Sequence, residues 1–133
     1  MMATGPRIKI DPTSDVPVVR QIMDALRVLL VEGQLRPGTA LPSVRRVAME
    51  LGVHFNTVAE AYRQLATEGW LDLKHGRAAM VVERTMPVVE NDSRTQDFHS
   101  RLRGIVAQMR SEGISADRIA AELRAIAKVV TRT

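Results

Sequence analysis

Arg45 and Arg46 stand just after Ser43, and His54, Phe55, Asn56 and Thr57 follow one another a short way on. A guanidinium presents a planar fork of N–H donors that grips two acceptors at once, such as the O6 and N7 of a guanine or two oxygens of a phosphate. The Asn56 amide offers a donor and an acceptor side by side, and the Phe55 ring offers an apolar surface that fits a thymine methyl. Lys74, His75 and Arg77 surround Gly76 and add groups suited to phosphate oxygens or a groove. All of this is recognition chemistry. No two of His54, His75 and His99 share a metal-ligand spacing, and no nucleophile stands in a triad or elbow pattern. No residue pattern therefore points to catalysis, a metal or a cofactor.

The elements that must position these residues follow from apolar spacing. Ser43 is a good N-cap, and Val44, Val47, Ala48 and Leu51 mark one face of a short helix that Gly52 stops. A second helix starts at once, with Val58, Ala61, Tyr62 and Leu65 on its apolar side. Two one-sided helices this close must bury their stripes against each other and a third. The third runs to Glu32 with Ile22, Leu26, Leu29 and Leu30 inward, Asp15 or Ser14 as its cap and Pro17 in its first turn. Before it, Arg7 to Ile10 alternates basic and apolar, as a short edge strand or an extended arm does. Gly33 to Gly38 is a turn-rich connector, with Leu35 and Leu41 tucked beneath on either side. Leu71–Lys74 and Ala79–Glu83 are strand-compatible runs joined by His75, Gly76, Arg77 and Ala78, a hairpin with a basic tip. A helix-turn-helix followed by such a hairpin is a winged helix, whose second helix can set its N-terminal side chains against base edges in a DNA major groove.

In this register the sequence resembles the GntR family of bacterial transcription regulators. The matching residues are Pro17, Gln21, Ile22, Gly33, Leu35, Pro37, Gly38, Leu41, Pro42, Ser43, Arg45, Ala48, Leu51 and Val53. They continue through Asn56, Thr57, Val58, Ala61, Tyr62, Leu65, Gly69, Trp70, Gly76 and Val81. The family's wing usually reads Gly-x-Gly, whereas Gly76-Arg77-Ala78 here lacks the second glycine. The resemblance implies that Arg45 lies against DNA and that Asn56 and Thr57 open the recognition helix. Ser43, Arg46, His54, Phe55, Tyr62, Lys74, His75, Gly76 and Arg77 complete the expected DNA-binding set. Bland readings stand beside these. Arg45 could be a solvated helix residue that pairs with a nearby carboxylate, with Arg46 more ambiguous still; His54 or Thr57 could simply cap the helix, and His75 and Arg77 could be an ordinary solvated tip. Phe55 stands where many relatives carry a polar or basic residue. The Tyr62 ring belongs to the core, while its hydroxyl either stays there or emerges to bond a phosphate.

The chain of 133 residues has room for one such domain and a small appendage. We expect a mainly α protein: residues 1–84 form the winged helix-turn-helix of three helices plus a β-hairpin wing, 85–94 a linker, and 95–133 two further helices. Phe98, Leu102, Ile105, Val106 and Met109 mark the first tail helix. Ile119, Leu123, Ile126 and Val130 mark the second, capped by Ser115. Two helices with bare stripes bury little alone, so these nine residues are the expected dimerisation set. The tail resembles that of the YtrA subfamily, where it is a dimerisation element. The absence of any run of about 18 uncharged apolar residues and of a signal-peptide core predicts no membrane association and a cytoplasmic location. With no cysteine there are no disulfides or thiolate sites, in keeping with a reducing compartment. The net charge of +4 favours polyanions only weakly, because residues 94–133 hold eight basic against four acidic residues and account for the excess. The expected function is a homodimeric, sequence-specific regulator, a repressor by preference, on a two-fold double-stranded DNA operator. The alternative is a winged-helix module that docks a protein. No residue pattern identifies a small-molecule effector.

Overall fold

Pro17 fixes the start of the first helix, α1 (Val18–Val31), at φ −56° without help from a side-chain cap. This corrects the expectation that Asp15 or Ser14 would cap it: Ser14 Oγ instead accepts from Val16 N (3.1 Å) in a local turn. Gln21, one turn in, ties the preceding chain to the helix. Its Oε1 accepts from Asp11 N (2.7 Å), and its Nε2 donates to Asp11 O (3.0 Å) and Val16 O (2.8 Å). Ile8 to Ile10 is an extended arm rather than a strand, and both isoleucines pack on the core.

The computed structural model describes residues 8–74, 77–84 and 91–132, which belong to two compact units, Met1–Thr85 and Met86–Thr133. In the first, Ser43 Oγ accepts from Arg46 N (3.1 Å) and opens α2 (Val44–Leu51). Gly52 closes it at φ +70°, a left-handed conformation that glycine adopts without a Cβ clash, and α3 (Phe55–Thr67) begins two residues after Val53. Val58, Ala61, Tyr62 and Leu65 are all buried, and α3 packs against both α1 and α2. Ile22, Leu26, Val58 and Leu65 form the innermost core, with Leu35 and Leu41 buried at its edge.

The hairpin is shorter than the sequence suggests: β1 (Leu71–Asp72) pairs antiparallel with β2 (Met80–Val81), Leu71 opposite Val81 and Asp72 opposite Met80. The outer edge of β2 is occupied by the connector before α2. Val81 N donates to Thr39 O, Gly38 N to Val81 O and Leu41 N to Ala79 O, each at 2.8 Å. Sequence periodicity did not indicate this third chain. Leu73 and Lys74 stand exposed beyond the ladder. Below the hairpin, Arg27 of α1 forks both carboxylate oxygens of Glu68, the C-cap of α3, while Arg84 Nε donates to Glu68 O (2.8 Å) and its guanidinium lies 4.5 Å from the Trp70 ring centroid.

In the second unit Asn91 Oδ1 accepts from Arg94 N (3.1 Å), so α4 (Asp92–Ser111) starts at Asp92 and not near Thr95. The polar run Asn91-Asp92-Ser93, expected as linker, is a helix start: an Asn cap followed by an acid in the first turn. Residues 85–90 of the expected linker lie outside the described residues. Gly113 at φ +93° ends α4, and Ser115 Oγ accepts from Arg118 N (3.1 Å) to open α5 (Ala116–Arg132). Ile119 is buried and Val106 and Met109 half-buried, whereas Phe98, Leu102, Ile105, Leu123, Ile126 and Val130 are exposed. No helix of the described residues is long and apolar enough to cross a membrane.

The fork from Arg27 holds the Glu68 carboxyl below its ordinary value of 4.5. Its stabilising effect is therefore present above that value and disappears as pH falls through the lowered one. Glu68→Gln is expected to melt below the natural protein at pH 7, with the difference closing as pH drops beneath about 4.5. A melting difference that persisted unchanged at low pH would show that charge is not what the fork contributes.

Candidate nucleic-acid interface

Arg45 and Arg46 are neighbours on the exposed start of α2, yet they meet different partners. Arg46 Nε donates to Glu50 Oε1 (3.1 Å), one turn on, as an ordinary helix-surface ion pair. Among the described residues Arg45 has no such acceptor; its guanidinium carbon lies 5.2 Å from the centroid of the Phe55 ring, a cation–π distance. The carboxylate pair considered for Arg45 is formed instead by its neighbour Arg46.

Phe55 is the first residue of α3, and its ring also stacks on His54 at 4.7 Å between centroids and 25° between planes. His54 is the N-cap: its Nδ1 accepts from Asn56 N (3.0 Å), so that nitrogen is unprotonated in this arrangement. The capping reading therefore holds for His54, not Thr57, and leaves the imidazole edge outward, since the residue is exposed. The Asn56 and Thr57 side chains form no hydrogen bond among the described residues, and Asn56 is exposed. The glycine turn thus brings Arg45 of α2 to the head of α3, where its guanidinium has no acceptor among the described residues.

A groove of about 700 Å³ lies between the start of α2, the middle of α3 and the hairpin, with Ser43, Tyr62, Arg63, Leu73, Lys74 and Arg77 among its lining residues. Asp72 Oδ2 gathers the wing cations, at 3.1 Å from Arg77 Nη2 and 3.9 Å from Lys74 Nζ. His75 and Gly76 lie outside the described residues. Arg63 is absent from the set expected from sequence, although it follows Asn56 by two helical turns and so shares its face. Its Nη2 donates to Glu60 Oε1 (2.8 Å), and Glu60 also accepts from Gln64 Nε2 (3.0 Å). These bonds, Gln64's first, hold the Glu60 carboxyl below the usual range.

This geometry has known counterparts. The model of the gntR family of bacterial regulatory proteins matches residues 18–81, from the start of α1 to the end of β2. The HTH-type transcriptional repressor YtrA of Bacillus subtilis is 29% identical over 112 residues, covering 84% of this chain and 85% of that protein. The regulator YhcF of the same organism is 31% identical over 105 residues, 78% of this chain and 84% of its own. Among solved structures, YtrA from Sulfolobus acidocaldarius, a GntR-family transcription factor, superposes with a TM-score of 0.55 at 33% identity, over 78% of this chain and 97% of that one. The chain belongs to the gntR family of bacterial regulatory proteins. It is a transcription regulator with a winged helix-turn-helix DNA-binding domain. The similarity to the Bacillus repressor, over 112 residues, is too long to fit within Met1–Thr85 and continues into the α4–α5 unit.

Of the two readings of Tyr62 in this GntR-family chain, the core one fits its surroundings. Tyr62 is only 3% exposed, and its hydroxyl donates to Pro42 O (2.7 Å). Burial pushes its ionisation far above the ordinary tyrosine range. The hydroxyl that could have met a phosphate instead ties α3 to the residue before the α2 cap. Tyr62→Phe is accordingly expected to lower stability by about 1 kcal/mol, the usual net worth of such a bond, and to leave operator affinity and its salt dependence unchanged. A shallower salt dependence in a folded Tyr62→Phe protein would return the hydroxyl to the interface.

Proposed function

We propose that this regulator is a repressor that acts in the cytoplasm as a homodimer on a two-fold DNA operator, with the head of α3 in the major groove and the wing against the backbone. The observation that carries the reading is Arg45. Among the described residues it is a guanidinium without a carboxylate, set against an aromatic ring, beside an Asn56 amide and a Thr57 hydroxyl that form no hydrogen bond there, at a helix start. Such groups suit base edges, and a protein-docking surface has no need of them. Ser43, Arg46, Lys74 and Arg77 belong to the backbone-facing part of the site, where a phosphate would replace Glu50 or Asp72 as partner. An unbiased selection among random duplexes, followed by titration, tests this. Arg45→Ala is expected to lower affinity for the selected duplex by roughly 1–3 kcal/mol and to relax preference at one position per half-site. An unchanged affinity in the folded variant would overturn the placement.

The α4–α5 unit is the proposed dimerisation element. Phe98, Leu102, Ile105, Leu123 and Ile126 are each between 43% and 57% exposed, more apolar surface than two helices can cover by themselves. Ile119, Val106 and Met109 lie deeper and would join the two helices within one protomer. One recognition helix reads too few base pairs to select a site, and a two-fold pair reads two half-sites. Leu102→Asp places a charge in the expected interface, so the full chain should sediment as a monomer and lose most operator affinity. A variant that still sedimented as a dimer would give the tail another purpose.

A further inference from the structure

Phe55 is a large apolar side chain at the most forward position of α3, and nothing in the core calls for it there. It is 41% exposed, does not belong to the packed cluster, and its ring meets two other exposed residues, stacking on His54 and lying beneath the Arg45 guanidinium. Those contacts fix the ring: the His54 imidazole that stacks on it is itself held by its bond from Asn56 N, which opens the helix. A fixed apolar surface at the head of a recognition helix has one apolar counterpart in the major groove, the C5 methyl of thymine. We propose that Phe55 is a specificity-determining residue that reads the methyl of a thymine in or next to the base pair contacted by Arg45. The register follows from distance. The Arg45 guanidinium carbon is 5.2 Å from the Phe55 centroid, and base pairs rise about 3.4 Å per step, so the two side chains address the same or adjoining pairs.

This rests on the proposed operator binding, and the test separates the two. In the selected duplex, each half-site thymine is replaced in turn by deoxyuridine, which keeps the base pair and removes only the methyl. The natural protein should lose about fourfold in affinity at one thymine per half-site, the worth of one buried methyl group. Phe55→Ala should bind the unmodified duplex more weakly and show no further loss at that deoxyuridine, while Phe55→Leu, still apolar, should keep the penalty. Because the side chain is exposed, both variants should melt as the natural protein does. The assignment is overturned if no deoxyuridine changes the affinity of the natural protein by as much as twofold, or if Phe55→Ala retains the full penalty. Failure of operator binding has a different signature, the absence of any enriched duplex, and that outcome removes this assignment as well.

Discussion

Helix α3 has to satisfy two demands at once, and the architecture of the first unit follows from how it does so. Val58, Ala61, Tyr62 and Leu65 must leave water, which takes neighbours on more than one side: Ile22, Leu26 and Leu30 from α1, Val47 and Ala48 from α2, and Leu71 from the hairpin complete the cluster. The residues just ahead of that face, His54 to Thr57, must stay outside. A helix clasped along one side by three elements and bare at its N-terminus meets both demands. Side chains at the bare end borrow the stiffness of a core they do not join.

The turn between α2 and α3 makes the recognition surface a joint product of two helices. Gly52 in the left-handed region reverses the chain tightly enough for Arg45, near the start of α2, to reach Phe55 at the start of α3. A residue with a Cβ would be strained at that φ, and any loosening of the turn would part the guanidinium from its ring. Tyr62, in the middle of α3, holds the other end of α2 through Pro42 O. The position of Arg45 thus depends on a backbone conformation and a buried hydrogen bond, neither of which touches DNA.

Much of this was legible in the sequence because it depends on local rules. The Ser43 cap, the Gly52 stop and the apolar spacing of α2 and α3 each involve residues a few positions apart, where propensity and periodicity speak directly. What escaped depends on partners far along the chain. The pairing of residues 38–41 with β2 leaves no period-two pattern, since the connector is short and rich in Pro and Gly. The Tyr62 hydroxyl could not be placed without knowing that Pro42 O faces it. The start of α4 was misjudged for a different reason: Asn, Asp and Ser serve linkers and helix caps equally well, and only the Asn91 bond to Arg94 N decides between them. Arg45 and Arg46 look alike in sequence, and helical geometry tells them apart by placing Glu50 within reach of Arg46 and the Phe55 ring within reach of Arg45.

That last distinction bears on how a chain of modest net charge could hold a polyanion selectively. Several cations around the site have an acid of their own: Arg46 has Glu50, Arg63 has Glu60, and Lys74 and Arg77 share Asp72. These pairs are exposed and weak, so a phosphate can displace the acid, but each exchange gives up one attraction as it gains another. The net drive towards just any duplex is reduced accordingly. Among the described residues Arg45 has no carboxylate to give up, only an aromatic face that it could keep while its donors engaged a base edge as proposed. In the proposed interface, cations tethered to acids beside a guanidinium that has no acid among the described residues would shift the balance of binding energy from phosphate towards sequence, the balance a regulator needs among an excess of competing sites.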